Sequence, residues 1–312
     1  MKELLTRFLL LPIALVLVFL LLPIAIKDHW FVELFSHLRF QLANVLLALF
    51  IGLLIFKVKH WYRYIVLLVG IVAFISSLNI FNTDPAYKLS GPTLGVCTIN
   101  LFKNYDKVEA IKENLDQVNP MVIFFQEYDS RWHSELEILE EYRFRKYKIQ
   151  EGNFGIATYS KLPFESDSII YFSEERFPSI STAFNWDSEI VELINVHLEP
   201  PGHPVSHEMR KTYFSNLEKY LSKTKNDFVI AGDFNTTLFS AFLKNFTRNL
   251  SLNYSKDFLI QTKTWPSTLG PFGICIDHVF CSDDLRIHRK RTLDNWGSDH
   301  RPVYAEFGRV AN

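Results

Sequence analysis

Cysteine is scarce. Cys97, Cys275 and Cys281 are the only three, they form no CxxC pair, and an odd number cannot all be paired within one chain; this argues against a disulfide framework or a zinc knuckle. They read as small buried hydrophobes on strands. Net charge is nearly absent as well: 33 basic residues against 34 acidic ones leave -1, so the broad positive footprint of a general nucleic-acid binder is missing, although an average leaves room for a local basic groove. There is no internal repeat and no low-complexity tract, which removes repeat architectures.

The averages conceal an uneven chain. Residues 1–82 are dominated by Leu, Ile, Val and Phe, and the rest mixes charged, apolar and turn-forming residues as a soluble domain does. Residues 8–26 carry no charge and match the roughly 20 residues of a membrane-crossing helix, with Pro12 and Pro23 tolerated inside. They are too long for an ordinary signal-peptide core and lack a clear cleavage site. Further apolar runs cover 41–56 and 64–81, predicting about three transmembrane helices and a lipid-bilayer partner. The shorter 41–56 run also fits a buried hairpin helix. Lys2 and Arg7 precede the first run, and Lys57, Lys59 and Arg63 separate the second from the third. That bias places the N-terminus inside and, after three crossings, the remaining domain on the extracytoplasmic side. Trp30, Trp61, Tyr62 and Tyr64 stand where interfacial aromatics are expected.

A linker is predicted over 83–93 and a second domain over 94–310. Its roughly 220 residues can bury a core without disulfides, structural metal or an obligate protein partner. Apolar spacing predicts helices over 106–118, 130–141 and 206–222, and strands near 93–101, 121–125, 189–196 and 228–231. More strands are predicted within 142–186 and after 272. Strands outnumber helices, and some are hairpin-close while others are helix-separated, which favours mixed sheets covered by helices.

Polar residues recur where these strands end: Asn100, Gln126-Glu127, Asn195 and His197, Gly232-Asp233-Phe234-Asn235, Asp277-His278, and Ser298-Asp299-His300. Singly each has a plain reading as a turn, a strand cap or a solvated acid. As an ordered set they form an oxygen-rich cluster with histidines and no matching cysteines, suited to a hard cation and phosphate chemistry.

The succession TINL, FFQEYD, NVHLEP, AGDFNT, CIDHVF and GSDHRPV, over about 94–307, resembles the endonuclease/exonuclease/phosphatase superfamily; with TWPS at 264–267 and the apolar N-terminus, it is most similar to membrane-bound bacterial members. The resemblance implies an α/β (α+β) four-layer sandwich of two mixed β-sheets flanked by helices. It also implies an Mg²⁺ or Mn²⁺ ion near Asn100, Glu127 and Asp299. Asp233 would orient or deprotonate the attacking water, Asn235 would hold that water or a phosphoryl oxygen, and His197 would donate to the phosphate. His300 would face the phosphate with Asp277 holding its other nitrogen.

Arg210 and Trp265 are candidate substrate contacts, with a surface salt bridge and core filling as their plain readings. His203 and His207 sit four apart, but Pro204 argues against one regular helix through both. The implied activity is phosphoester hydrolysis by in-line attack of water, on a nucleic acid or on a lipid-headgroup or small phosphoester. A catalytically inactive membrane-tethered binding domain is the reading from another class.

Overall fold

In a computed structural model the described residues are 2–58, 61–78, 89–102, 108–254 and 263–311. Each of the three apolar runs forms a helix: α1 over Lys2–Ala25, α3 over Arg39–Ile55 and α4 over Tyr62–Ser77. Between the first two lies a further short helix, α2, Trp30–His37. Among the described residues, the segment Phe8–Ala25, of mean hydropathy 3.0, is the one helix that is by itself long and apolar enough to cross a bilayer. Helices α2 and α3 reach that length only as a pair bent by 68°. Ala43, Leu46 and Leu53 of α3 pack fully buried between α1 and α4, and Gly70 leaves room for Leu47 where a Cβ would lie 2.8 Å from its Cδ2. Arg39 Nε donates to Ser76 Oγ at 3.1 Å, so the start of α3 and the end of α4 meet at one end of the bundle.

The second region is built on two mixed sheets. Strands β1 (Leu89–Asn100), β2 (Val122–Gln126), β3 (Phe144–Lys148), β4 (Ile156–Ser160), β10 (Leu285–Thr292) and β11 (Val303–Val310) form one, in the order β10-β11-β1-β2-β4-β3. The other contains β5 (Ser166–Tyr171), β6 (Pro178–Trp186), β7 (Glu189–His197), β8 (Asp227–Asp233) and β9 (Asp277–Cys281), in chain order. The pairs β1–β2 and β7–β8 are parallel and the remaining pairs antiparallel. Each parallel pair needs a crossover, supplied by α5 (Val108–Val118) in the first sheet and α7 (Pro204–Leu221) in the second.

Three apolar layers follow from the alternation of side chains along these strands. Val96, Phe124, Leu193 and Val229 fill the space between the sheets. Ile99, Phe125 and Trp132 pack the outer face of the first sheet against α5 and α6 (Ser130–Glu135). Val196, Ile230 and Phe280 pack the second against α7 and α8 (Ala241–Asn249). Cys97, Cys275 and Cys281 are buried within this frame and form no disulfide.

Several boundaries differ from the sequence reading. Strand β1 begins at Leu89, so residues 89–93 of the expected linker are strand, and the rest of that linker lies outside the described residues. Helix α8 was not foreseen. Helix α7 starts two residues earlier than expected: Pro204 occupies its first turn, where a missing N–H costs nothing, and His203 lies outside it as the cap, accepting from Val205 N at 3.2 Å.

Gly232, beside the polar end of β8, has φ +146°, and a Cβ there would sit 1.9 Å from Val196 O on the parallel neighbour. Gly232→Ala is expected to lower stability by roughly 1–3 kcal/mol, read as a fall in the thermal midpoint of the full-length protein in detergent.

Candidate active site

Strand register brings the polar strand ends together. Asn100, last in β1, pairs with Gln126, last in β2, and the chain leaves the sheet at Glu127 in the left-handed region, φ 58°. In the facing sheet His197 pairs with Asp233 across the parallel ladder, and Asp233 with Asp277 across the antiparallel one. Asn235, two residues on, is also left-handed at φ 48°. Non-glycine residues held there carry strain that clusters at functional sites.

The side chains form one buried network. Asn100 Nδ2 donates to Glu127 Oε1 at 3.3 Å and to Asp233 Oδ2 at 3.2 Å, tying the two sheets. Asp233 Oδ1 accepts from Asn235 N at 2.8 Å. The Nε2 atoms of His197 and His300 lie 3.6 and 3.7 Å from Asp233 Oδ2, and His300 Nδ1 lies 3.0 Å from Asp277 Oδ2. Ser298 Oγ donates to Asn100 O at 2.8 Å and accepts from His300 N at 3.0 Å, fixing the last loop against the first strand.

These neighbours separate the two histidines chemically. Burial opposes charge on His300, but the carboxylates of Asp277 and then Asp233 outweigh it and push its pKa well above the usual imidazole range. His197 is depressed to about 3, first by burial and then by the positive charge of His300. The two shifts run in opposite directions, favouring the charged ring at His300 and the neutral ring at His197. Burial, and next the charge of Asp277, raise Asp233 above the ordinary carboxylate range, in the direction of a general base.

Donor atoms of Asp233, Asp277 and His300 lie within 4.8 Å of one another, close enough for a metal among the described residues. With His300 protonated and clamped between the two acids, these three satisfy one another as an ion-paired triad, so we read them as proton-handling groups. Asp299 is different. Its Oδ2 accepts from Trp265 Nε1 at 3.0 Å, while its buried Oδ1 has no hydrogen-bond partner. A buried carboxylate oxygen left in this way is costly unless a cation or water completes it, and it fits the hard, oxygen-ligated ion expected near Asn100, Glu127 and Asp299.

Two candidates have defined neighbours. The Trp265 ring lies 6.5 Å from His300, centroid to centroid, and is about one-third exposed, at 36%. Arg210 is 1% exposed. Its Nη1 donates to the carbonyls of Glu199 at 2.8 Å and Asn235 at 3.1 Å, and its Nη2 to Glu33 Oε1 at 3.1 Å. It therefore holds the Asp233–Asn235 turn from behind, and the surface salt bridge weighed from sequence is a buried one.

Its partner Glu33 was missed, because nothing in α2 signals contact with a residue 177 positions away. His207, not a ligand of His203, faces Glu33 and Asp28. Also missed was a polar bridge between the sheets, in which Gln126 Nε2 donates to Asn195 Oδ1 at 2.7 Å and Asn195 Nδ2 to Ala157 O at 2.8 Å. Both residues stand among the strand-end polars, which was the available signal.

The architecture recurs in solved structures. The human Nocturnin catalytic domain with bound sulfate anion is 15% identical with TM-score 0.58, over 72% of this chain and 97% of that one. D. rerio TDP2 complexed with single strand DNA product is 14% identical with TM-score 0.57, over 70% and 100%. An endonuclease/exonuclease/phosphatase from Bacteroides vulgatus is 13% identical with TM-score 0.58, also over 70% and 100%. Comparison with curated protein sequences gives no match. The model of the Endonuclease/Exonuclease/phosphatase family matches residues 97–300, a span that holds every strand-end residue of the site from Asn100 to His300. The chain belongs to the endonuclease/exonuclease/phosphatase family, whose members are metal-dependent phosphoester hydrolases.

Proposed function

We propose that this protein is a membrane-anchored phosphodiesterase that hydrolyses a bilayer-borne phosphoester by in-line attack of water. The observation that carries the chemistry is the buried Asp233 carboxylate flanked at 3.6 and 3.7 Å by the imidazoles of His197 and His300. Asp233 orients the water and accepts its proton. Asn235, whose Nδ2 is engaged by Leu198 O and Asp233 Oδ2, holds that water through Oδ1. His300, charged and fixed by Asp277, neutralises the phosphoryl oxygens, and His197 donates a hydrogen bond as a neutral imidazole. Glu127, Asp299 and Asn100 would hold Mg²⁺ or Mn²⁺, which supplies charge neutralisation at the phosphate when bound.

Anchoring is read from α1, with α3 and α4 as further passes. Because α1 ends, α3 begins and α4 ends on the side of the catalytic domain, three passes place that domain opposite Lys2. The distribution of Lys and Arg makes that side extracytoplasmic.

A bilayer substrate is favoured by what surrounds the site mouth. Leu269 and Phe272, 53% and 58% exposed, follow Trp265 on a loop whose Phe272 and Gly273 carbonyls accept from Gln41 Nε2 on α3. Apolar side chains that border both an active site and an apolar helix suit insertion at a membrane surface. A nucleic acid would call for a basic stripe across the site, and the basic run 286–291 lies on β10. There Arg289 pairs with Glu306 and the Arg291 guanidinium lies over the Tyr304 ring, both along the sheet.

Full-length protein in vesicles, given Mg²⁺ and either phospholipids and sphingomyelin or single- and double-stranded DNA and RNA, tests this choice. Cleavage of lipid headgroups that is insensitive to moderate salt is expected. Preferential, steeply salt-dependent cleavage of nucleic acid would overturn the bilayer substrate while leaving the chemistry intact.

A further inference from the structure

Away from the catalytic residues, a cavity of about 420 Å³ opens where the end of α1 meets α2, the start of α3 and α8. One wall is apolar, made by Leu20, Pro23 and Ile24 of α1 with Phe239 of the β8–α8 loop. The other wall carries Lys27, Arg39, Lys244 and Arg248. Arg39 bonds to the hydroxyl of Ser76 and Arg248 to the amide of Asn245. Among the described residues, no ion pair joins any of these four cations to an acid.

The acid that lines the cavity, Glu33, is engaged by Arg210 at 3.1 Å and by Ser240 Oγ at 2.9 Å. Poor solvation in the cleft, and after it the charges of Arg39 and Lys27, hold Lys244 below its ordinary pKa, as expected where cations crowd without a counter-ion.

We infer that this cavity is a binding site for an anionic phospholipid: the phosphate headgroup sits among Lys27, Arg39, Lys244 and Arg248, and an acyl chain lies along Leu20, Pro23 and Ile24. Three features carry this assignment. Among the described residues the cations are uncompensated, they stand by the end of α1, the one helix there long and apolar enough by itself to cross a bilayer, and the apolar wall is made by that helix. Basic pockets at such depth retain anionic lipids, each cation near the surface contributing to the affinity. A soluble anion would use the basic wall alone and leave the apolar wall without a role. The site is separate from the one that turns over substrate, and Glu33 on its wall belongs to the clamp behind Asn235, so the bound lipid would also brace the junction of the two regions.

The inference rests on the membrane-anchored reading and not on the catalytic one, and the test separates them. Full-length protein in neutral detergent is titrated with phosphatidylglycerol, phosphatidylcholine and inorganic phosphate, and retained lipid is measured by native mass spectrometry. Extraction of membranes at alkaline pH reports independently whether the chain is integral.

Preferential retention of phosphatidylglycerol is expected, weakened about fivefold for each of Lys244→Gln and Arg248→Gln, and roughly 25-fold for both together. Neither residue touches the catalytic groups, so hydrolysis of a soluble phosphodiester serves as a folding control for the variants. Equal retention of the two lipids, affinity unchanged in the double variant, or displacement by inorganic phosphate at similar concentration would each overturn the assignment. A chain that is fully extracted at alkaline pH would remove the anchored reading itself.

Discussion

Asp233→Asn is expected to lower kcat by about 10²–10⁴-fold, the usual contribution of a positioned general base, with little change in KM. The carboxylate is 1% exposed, and its two oxygens have different surroundings. Oδ1 accepts the backbone N–H of Asn235, and an amide oxygen can do the same. Oδ2 accepts from Asn100 Nδ2 and faces the two imidazoles. An amide nitrogen at that place can neither take a proton from water nor offset the charge of His300. It also loses the bond to Asn100, a structural cost of about 1 kcal/mol, which is small enough for the variant to stay folded. Steady-state kinetics on a soluble phosphodiester, beside circular dichroism of the same sample, separates the two effects. Parental kcat in the folded variant would remove Asp233 from the mechanism.

Glu33→Ala is expected to cost about 3–5 kcal/mol of stability, because it leaves the Arg210 guanidinium buried without its counter-charge. The full-length protein should show a lower thermal midpoint in detergent. The effect should reach the active site, since Arg210 Nη1 supports the carbonyl of Asn235. Arg210→Met is expected to be similarly harmful, leaving Glu33 with His37, His207 and Ser240 as its polar neighbours among the described residues. The Glu33→Met/Arg210→Met pair should be less harmful than the sum of Glu33→Met and Arg210→Met made singly, since an apolar pair of similar volume replaces the ion pair. Strict additivity would show that the two side chains do not stabilise each other.

These two residues mark where the sequence stops being readable. Asp233 stands in a glycine-led turn after an apolar strand, and Asp277 and His300 stand in comparable places, so each was visible as a polar residue at a strand end. Register across β7, β8 and β9 then aligned His197, Asp233 and Asp277, and the loop held by Ser298 against β1 brought His300 to them. Glu33 lies in an eight-residue helix between long apolar runs, and its role depends on a partner that only the tertiary fold supplies.

The same holds for Arg210, whose helix was predicted while its direction was not: α7 turns this side chain toward the Asn235 carbonyl and α2. Pro204 keeps His203 outside α7, as its place between the two histidines suggested, whereas the burial of His207 against Glu33 depends on the tertiary fold. The two sheets were legible in outline from strand count and spacing. Their order was not, because β10 and β11 return from the end of the chain to pair beside β1.

The central claim is metal-dependent phosphoester hydrolysis at the Asp233 cluster. It is met most directly by assaying the full-length protein on a soluble phosphodiester with Mg²⁺, then with excess chelator, then with Mg²⁺ restored. Product formation is expected to stop on chelation and to return with the metal, in the parental protein and not in Asp233→Asn; turnover indifferent to the chelator, or equal in the two proteins, would rule out this chemistry.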